Sequence, residues 1–208
     1  MLTGSLIRVF WSGCLLVVFA ASAAAQTHPV DGIDARADTA ALGRQLGDAD
    51  PLVRQKAAEA LARLAATDQQ KLIEGYYIQE KNRTVRLALD WALYRVGKEA
   101  ALYRIVRELD SNRHDQAVGY LKQVDSPDVL YPFLKREDNK PRVLVGLLEV
   151  LAQTGNAETR PQLEQFRDSF VPGVAAAAEK ALEELDSRLG QPNGANPARP
   201  RVVSKPDQ

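Results

Sequence analysis

The sequence predicts an all-α fold, an α-solenoid of about five helix pairs, and three observations predict it. An apolar pair recurs along the chain, apolar residues repeat at helical spacing inside each copy, and proline stands near the start of three copies. Proline is tolerated in the first turn of a helix, where its missing N–H would have no partner. A helix pair of about 30 residues buries only one face, so it must stack on its neighbours.

The repeat is measured from one leucine in each copy, which we call the register leucine. The residues four positions before and three positions after it share its helical face. The register leucines are Leu61, Leu93, Leu121, Leu151 and Leu182, at intervals of 32, 28, 30 and 31 residues. The residues four positions earlier are Ala57, Leu89, Ala117, Leu147 and Ala178, and those three positions later are Leu64, Val96, Val124, Thr154 and Leu185. We expect these residues to form the buried face of one helix per copy, with Pro51, Pro141 and Pro172 at three helix starts.

A second helix is expected before each of these five helices. The segments are 38–46, 68–78, 99–109, 126–136 and 158–170, and each carries apolar residues at helical spacing. Asp38, Asp68 and Ser126 open three of them and are typical N-cap residues. The repeat region therefore spans 38–189.

The segment LGDADPLVRQKAAEALARL, residues 46–64, resembles a HEAT repeat, and it is most similar to the short phycobilisome-lyase-type HEAT-like repeat. TVRLALDWALYRVG, residues 84–97, shares the pattern, which weakens in the later copies. The resemblance implies a right-handed α-solenoid of about five HEAT-like helix pairs. It also implies that a turn acid and a helix arginine pair along the stack, here Asp48 with Arg54 and Glu80 with Arg86. The alternative, Arg54 and Arg86 as an anion site, stays open.

Residues 1–25 have the pattern of a secretory signal peptide. Arg8 is the only charge before Asp31, an apolar run follows it, and ASAAAQ offers a cleavage site after Ala25. We therefore expect an exported protein, periplasmic or secreted. An uncleaved membrane anchor and lipidation at Cys14 are the alternatives.

The two segments that flank the repeat region have other compositions. Residues 26–37 are expected to be a flexible N-terminal segment. Residues 190–208 contain four prolines and no helical period, and they predict a disordered tail. The tail carries Arg199, Arg201 and Lys205. Membrane contact is therefore expected only through an uncleaved signal or this basic tail.

The sequence lacks the residue patterns that several classes of function require. The formal net charge is zero, so no strong attraction to nucleic acid is expected. The only histidines are His28 and His114, and His114 occupies the repeat position of Arg54 and Arg86. We therefore expect no metal site and no cofactor. No nucleophile elbow, phosphate-binding loop or dinucleotide fingerprint is present. We expect a protein that is not an enzyme, and lyase-like activity on a HEAT-like scaffold remains the alternative.

One row of outward positions differs from the other copies. Leu87, Trp91 and Tyr94 are apolar or aromatic where other copies are mostly small or charged, and Lys122 lies in the next copy. Exposed aromatic residues often anchor partners. We expect these four residues to bind a protein or peptide on the concave face of the array, unless a neighbouring helix covers them.

The function predicted from the sequence is an exported, non-catalytic protein–protein interaction scaffold or adaptor. The alternative is a regulatory or assembly subunit of an exported enzyme or membrane complex, which uses the same surface together with the basic tail. The oligomeric state is not indicated by any pattern in the sequence.

Overall fold

The computed structural model describes the backbone of residues 31–190 and the side chains from Asp38 onward. The predicted signal peptide 1–25, residues 26–30 and residues 191–208 lie outside this part of the chain. Within it, every regular element is a helix and there is no β-strand, which confirms the predicted all-α class.

Ten α-helices are present between residues 31 and 190, with four short 3-10 turns before or after them. The α-helices are α1 Asp31–Gln45, α2 Pro51–Arg63, α3 Gln70–Gln79, α4 Arg83–Arg95, α5 Ala100–Arg107, α6 His114–Leu121, α7 Tyr131–Leu134, α8 Pro141–Thr154, α9 Arg160–Glu164 and α10 Pro172–Leu189. The 3-10 turns are Thr67–Gln69, Glu108–Asp110, Pro127–Leu130 and Ala157–Thr159.

The three prolines begin helices as predicted. Pro51, Pro141 and Pro172 are the first residues of α2, α8 and α10. Asp50 caps α2, and its carboxylate accepts a 2.9 Å hydrogen bond from the Leu52 N–H. At the other end of the fold, α10 stops at Leu189 because Gly190 adopts a left-handed conformation with φ of 67°.

The predicted N-caps of the first helices are wrong in detail. Asp38 lies inside α1, which begins at Asp31, so the helix extends into the segment 26–37 that the sequence analysis leaves flexible. Asp68 lies within a 3-10 turn that precedes α3. Ser126 precedes another 3-10 turn but bonds the Asp128 side chain rather than a backbone N–H. Tight 3-10 turns at helix starts move the boundaries by a few residues.

The register leucines form the core in all five copies. Each is at most 5% exposed, and the residue four positions earlier is at most 1% exposed in every copy. The position three residues later is less regular, since Leu64 is 55% exposed. Leu64 and Val96 are both C-cap residues, and Val96 is only 5% exposed, so the end of the helix does not by itself account for the exposure of Leu64.

The second helices of successive pairs pack along each other at both ends of the fold. α2 lies along α4, and α8 lies along α10. Between them, α8 approaches the 3-10 turn after α5 very closely. An ideal Cβ on Gly146 of α8 would lie 3.0 Å from the Leu109 side chain, so glycine permits this contact. No helix in residues 31–190 is long and apolar enough to cross a membrane.

Candidate functional site

The predicted binding row does not form an exposed surface. Leu87 is 1% exposed and Trp91 is 3% exposed, so the prediction that they face outward is wrong. Tyr120 of α6 covers Trp91, with the two rings stacked at a centroid distance of 5.6 Å. Gln116 of the same helix donates a 3.1 Å hydrogen bond to the Thr84 carbonyl. Tyr120 and Gln116 of α6 therefore contact Trp91 and the first turn of α4.

The other two predicted residues are partly accessible but do not extend one surface. The Tyr94 ring lies 5.7 Å from that of Trp91. The Lys122 ammonium lies 3.5 Å from Glu149 of α8, outside the Trp91 row. The structure thus brings Trp91 and Tyr94 together with Tyr120, and it directs Lys122 toward another helix.

The predicted ladder of acids and arginines is present with different partners. The Arg54 guanidinium contacts both Glu80 carboxylate oxygens, at 2.7 and 3.1 Å, and it also donates to the Asp48 carbonyl at 2.8 Å. The Asp48 carboxylate instead accepts from the Asp50 N–H at 2.8 Å. The predicted pairing through the Asp48 side chain is therefore wrong, because that carboxylate already closes its own turn.

The predicted pair of Glu80 with Arg86 is also wrong. Arg54 from the preceding helix pair occupies Glu80, and its hydrogen bond lowers the pKa of the Glu80 carboxyl. The Arg86 guanidinium lies over the Tyr77 ring at 4.7 Å. Arg54 is thus held in a structural ion pair, whereas Arg86 remains exposed on the surface.

Arg86 belongs to a cleft that the sequence analysis did not identify. Two adjacent pockets of about 370 and 210 Å³ share Arg107, and together we call them the arginine–tyrosine cleft. α3, α4 and α5 line the first pocket, and residues from α5 to α8 line the second. The charged and tyrosine residues of the lining are Tyr77, Arg83, Arg86, Asp90, Arg104, Arg107 and Glu108 in the first pocket, and Tyr103, Asp110, Arg136, Asp138 and Lys140 in the second.

Each pocket contains a tyrosine that contacts two guanidinium groups. In the first pocket, Arg86 and Arg104 lie 4.7 and 4.9 Å from the Tyr77 ring centroid. In the second, Arg136 and Arg107 lie 4.8 and 5.8 Å from the Tyr103 ring. Cation–π contacts of this kind hold the arginines against the wall of the cleft without neutralising their charge.

The acids of the cleft are already paired. The ion pairs are Asp90 with Arg104 at 2.5 Å, Glu108 with Arg113 at 2.5 Å, Asp110 with Lys140 at 2.6 Å and Asp138 with Arg136 at 2.9 Å. Arg83, Arg86 and Arg107 are exposed and form no ion pair with any residue of the described range. Three cations therefore remain available to a ligand.

Asp90 lies beneath the first pocket and is 5% exposed. Burial raises its pKa to about 6, and the hydrogen bond from Arg104 opposes this rise. The carboxylate fixes Arg104 between α4 and α5 and has little contact with solvent. Its geometry fits a structural anchor for the cleft.

Metal binding finds no support in the described side chains. From Asp38 to Gly190, no three histidine, cysteine or acidic side chains lie close enough to hold a metal ion. His114, the histidine in this range, contacts the Leu109 carbonyl through Nδ1 at 2.8 Å.

The signal for the cleft is faint in the sequence. Tyr77 and Tyr103 occupy the first helices of consecutive pairs. Arg107 contacts Tyr103 from the same helix, whereas Arg86, Arg104 and Arg136 come from other segments of the chain. Spacing within one helix does not reveal contacts between segments, and of these residues the sequence analysis names only Arg86, in the alternative of an anion site.

The comparisons with known proteins do not assign the chain to a family. No family model and no curated protein matches the sequence. A crystal structure of an engineered protein from the Northeast Structural Genomics Consortium matches 78% of this chain and 86% of its own, with 20% identity and a TM-score of 0.32. We draw no conclusion about fold or function from a match of that TM-score.

Proposed function

We propose that this chain is an exported, non-catalytic scaffold that binds another protein, and that its architecture is a right-handed α-solenoid of about five HEAT-like helix pairs. The buried register leucines support the repeat, since the same two positions of each second helix face the core in all five copies. The packing of α2 along α4 and of α8 along α10 is also what stacked pairs require.

The observation that carries the binding function is the composition of the arginine–tyrosine cleft. Arginine and tyrosine are enriched among the residues that dominate the energy of protein interfaces. Tyr77 and Tyr103 supply rigid apolar area, and Arg83, Arg86 and Arg107 supply charges that form no ion pair in the described part of the chain. The cleft takes the place of the Trp91 row as the proposed binding surface.

The buried acids support a non-catalytic role. Asp90 pairs with Arg104, and Asp186, which is 2% exposed, pairs with Arg160 at 3.1 Å. Each pair joins two helices. A buried carboxylate requires a cationic partner, and this structural requirement explains why each aspartate contacts an arginine.

Site-specific photo-crosslinking in the exported fraction tests this proposal. A photoreactive amino acid replaces Asn139 in the cleft, Lys122 beside the Trp91 row, or Glu183 on α10. All three positions lie at least partly on the surface. We expect one defined protein to crosslink from position 139 and not from position 183. The scaffold proposal is wrong if no protein crosslinks from any of the three positions.

A further inference from the structure

We propose that the partner segment held by the arginine–tyrosine cleft is acidic, with carboxylates that pair with Arg83, Arg86 and Arg107. This inference rests on the proposed scaffold function and adds the chemistry of the partner. It starts from the balance of charge in the cleft rather than in the whole chain, whose formal net charge is zero.

The lining of the cleft has more cations than carboxylates. Arg104, Arg136 and Lys140 are each matched by a carboxylate of the lining, and Glu108 is matched by Arg113. The excess positive charge therefore comes from the three exposed arginines. A guanidinium binds a carboxylate through two parallel hydrogen bonds, which make the pairing both strong and specific in its geometry.

The position of Arg107 makes the two pockets one binding surface. Its side chain lines both pockets, while Arg83 and Arg86 line only the first. All three arginines line the first pocket, so a segment bound there can continue past Arg107 into the second. An extended peptide with several spaced carboxylates can use both pockets, whereas a single small anion occupies only one.

The acids in the cleft argue against nucleic acid as the partner. Asp90, Glu108, Asp110 and Asp138 line the two pockets together with the arginines. A nucleic acid carries a phosphate on every nucleotide, so its backbone would place negative charge against these carboxylates. Separate side-chain carboxylates can be spaced to meet the arginines alone.

Binding of a labelled oligoglutamate peptide to the full chain tests the inference directly. Fluorescence anisotropy at low salt is compared between the wild type and Arg83→Gln/Arg107→Gln. We expect the double substitution to weaken binding about tenfold, because two charge-assisted contacts are lost. Added salt should also weaken wild-type binding, since exposed charges are screened.

The matched control removes the same charge elsewhere. Arg44 and Lys56 are exposed residues of α1 and α2, away from the cleft. We expect Arg44→Gln/Lys56→Gln to change the affinity by less than about twofold. Circular dichroism establishes that both double variants retain the helical content of the wild type.

Three results would overturn the inference. The first is that the wild type does not bind oligoglutamate at low salt. The second is that the control pair weakens binding as much as the cleft pair, which would make net charge the cause. The third is that a single-stranded oligonucleotide of equal charge binds more tightly than the peptide.

Failure of this inference and failure of the scaffold proposal give different results. If the protein crosslinked from position 139 still crosslinks when Arg83→Gln and Arg107→Gln are also present, the partner does not depend on these arginines and the acidic segment is wrong, while the scaffold stands. If oligoglutamate binds as expected but no exported protein crosslinks, the scaffold proposal is wrong and the cleft remains an anion-binding surface.

Discussion

The Tyr120 hydroxyl donates a 2.6 Å hydrogen bond to Glu59 Oε1, which joins α6 to α2 across the intervening α4. The Tyr120 ring stacks on Trp91 beneath this bond. Gln116 donates to the same hydroxyl at 2.8 Å, so the phenol oxygen is satisfied on both sides. One side chain therefore links three helices and covers the aromatic row that the sequence presents as a binding surface.

Substitutions at Tyr120 should separate the hydrogen bond from the ring. We expect Tyr120→Phe to lower the free energy of unfolding by about 1 kcal/mol, because it removes the hydroxyl and keeps the stacking. Tyr120→Ala should cost about 3 to 5 kcal/mol, because it also removes a buried ring. Urea denaturation measures both. Equal losses for the two variants would contradict the contribution assigned to the stacked ring.

The fluorescence of Trp91 should report the same contact. A chain expressed from Gln26 lacks Trp11 and keeps Trp91 as its only tryptophan. In that chain, Tyr120→Ala should shift the emission maximum to longer wavelength, since the indole becomes exposed to water. Tyr120→Phe should leave the emission unchanged. A blue-shifted emission that persists in the alanine variant would mean that another group covers Trp91.

Asp90 should give the fold a specific dependence on pH. Burial raises its folded-state pKa to about 6, whereas its ordinary value is 3.8, so the folded state binds this proton more tightly than the unfolded state. Its contribution to stability therefore increases as the pH falls through about 6 and is lost as the pH rises again. Arg104 and Arg86 oppose the rise of the pKa, and Glu108 adds to it.

The variant Asp90→Asn isolates this dependence from that of other acids. We expect the difference in unfolding free energy between wild type and variant to change as the pH falls from 7 to about 4. Asp110→Asn is the control, because Asp110 is a partly exposed acid of the same cleft that pairs with Lys140. A constant difference for Asp90→Asn across this range would show that its pKa is not raised.

The effects of substituting Arg54 and Glu80 on the free energy of unfolding should not be additive, because the two side chains form an ion pair. The side chains are 17% and 8% exposed, and both guanidinium contacts are short. A double-mutant cycle with Arg54→Met and Glu80→Gln should give a coupling energy of about 2 kcal/mol. The same cycle on Arg95 and Asp125 is the control, since the Asp125 side chain is 83% exposed. We expect less than about 0.5 kcal/mol there, and equal couplings would contradict the role of burial.

Substitution of two helical glycines by alanine should change the stability of the fold differently. A Cβ at Gly119 meets no atom within 4 Å, so Gly119→Ala should stabilise the fold by about 0.5 to 1 kcal/mol through helix propensity. A Cβ at Gly146 would lie 3.0 Å from Leu109 and His114, so Gly146→Ala should not gain this stability. Thermal melting compares the two. An equal gain at both positions would show that α8 does not approach Leu109 so closely.

The helices and their buried faces could be predicted because spacing within one segment determines them. Leu61 and Ala57 lie on one helical face whatever surrounds the helix, and the same holds in each copy. The cover over Trp91 could not be predicted, because it depends on how closely α6 approaches α4. The partner of Glu80 likewise could not be predicted, because it is Arg54 of the preceding helix pair and not Arg86 of its own pair.

The cleft was missed for a related reason. Tyr77, Arg86 and Arg104 come from three different helices, and nothing in the local pattern of any one helix marks them as neighbours. Arginines on helical surfaces usually contact solvent, so the presence of an arginine in the sequence does not indicate that it lines a cleft. Only the packing of α3, α4 and α5 brings them to one pocket.

The bond between Tyr120 and Glu59 reaches beyond the adjacent helix pair. In repeat proteins whose units contact only their neighbours, a unit can be excised and the flanking units rejoined. Excision of α3 and α4 would here remove the indole on which Tyr120 rests and leave Glu59 without its donor at the correct distance. We therefore expect the loss of α3 and α4 during evolution not to be tolerated.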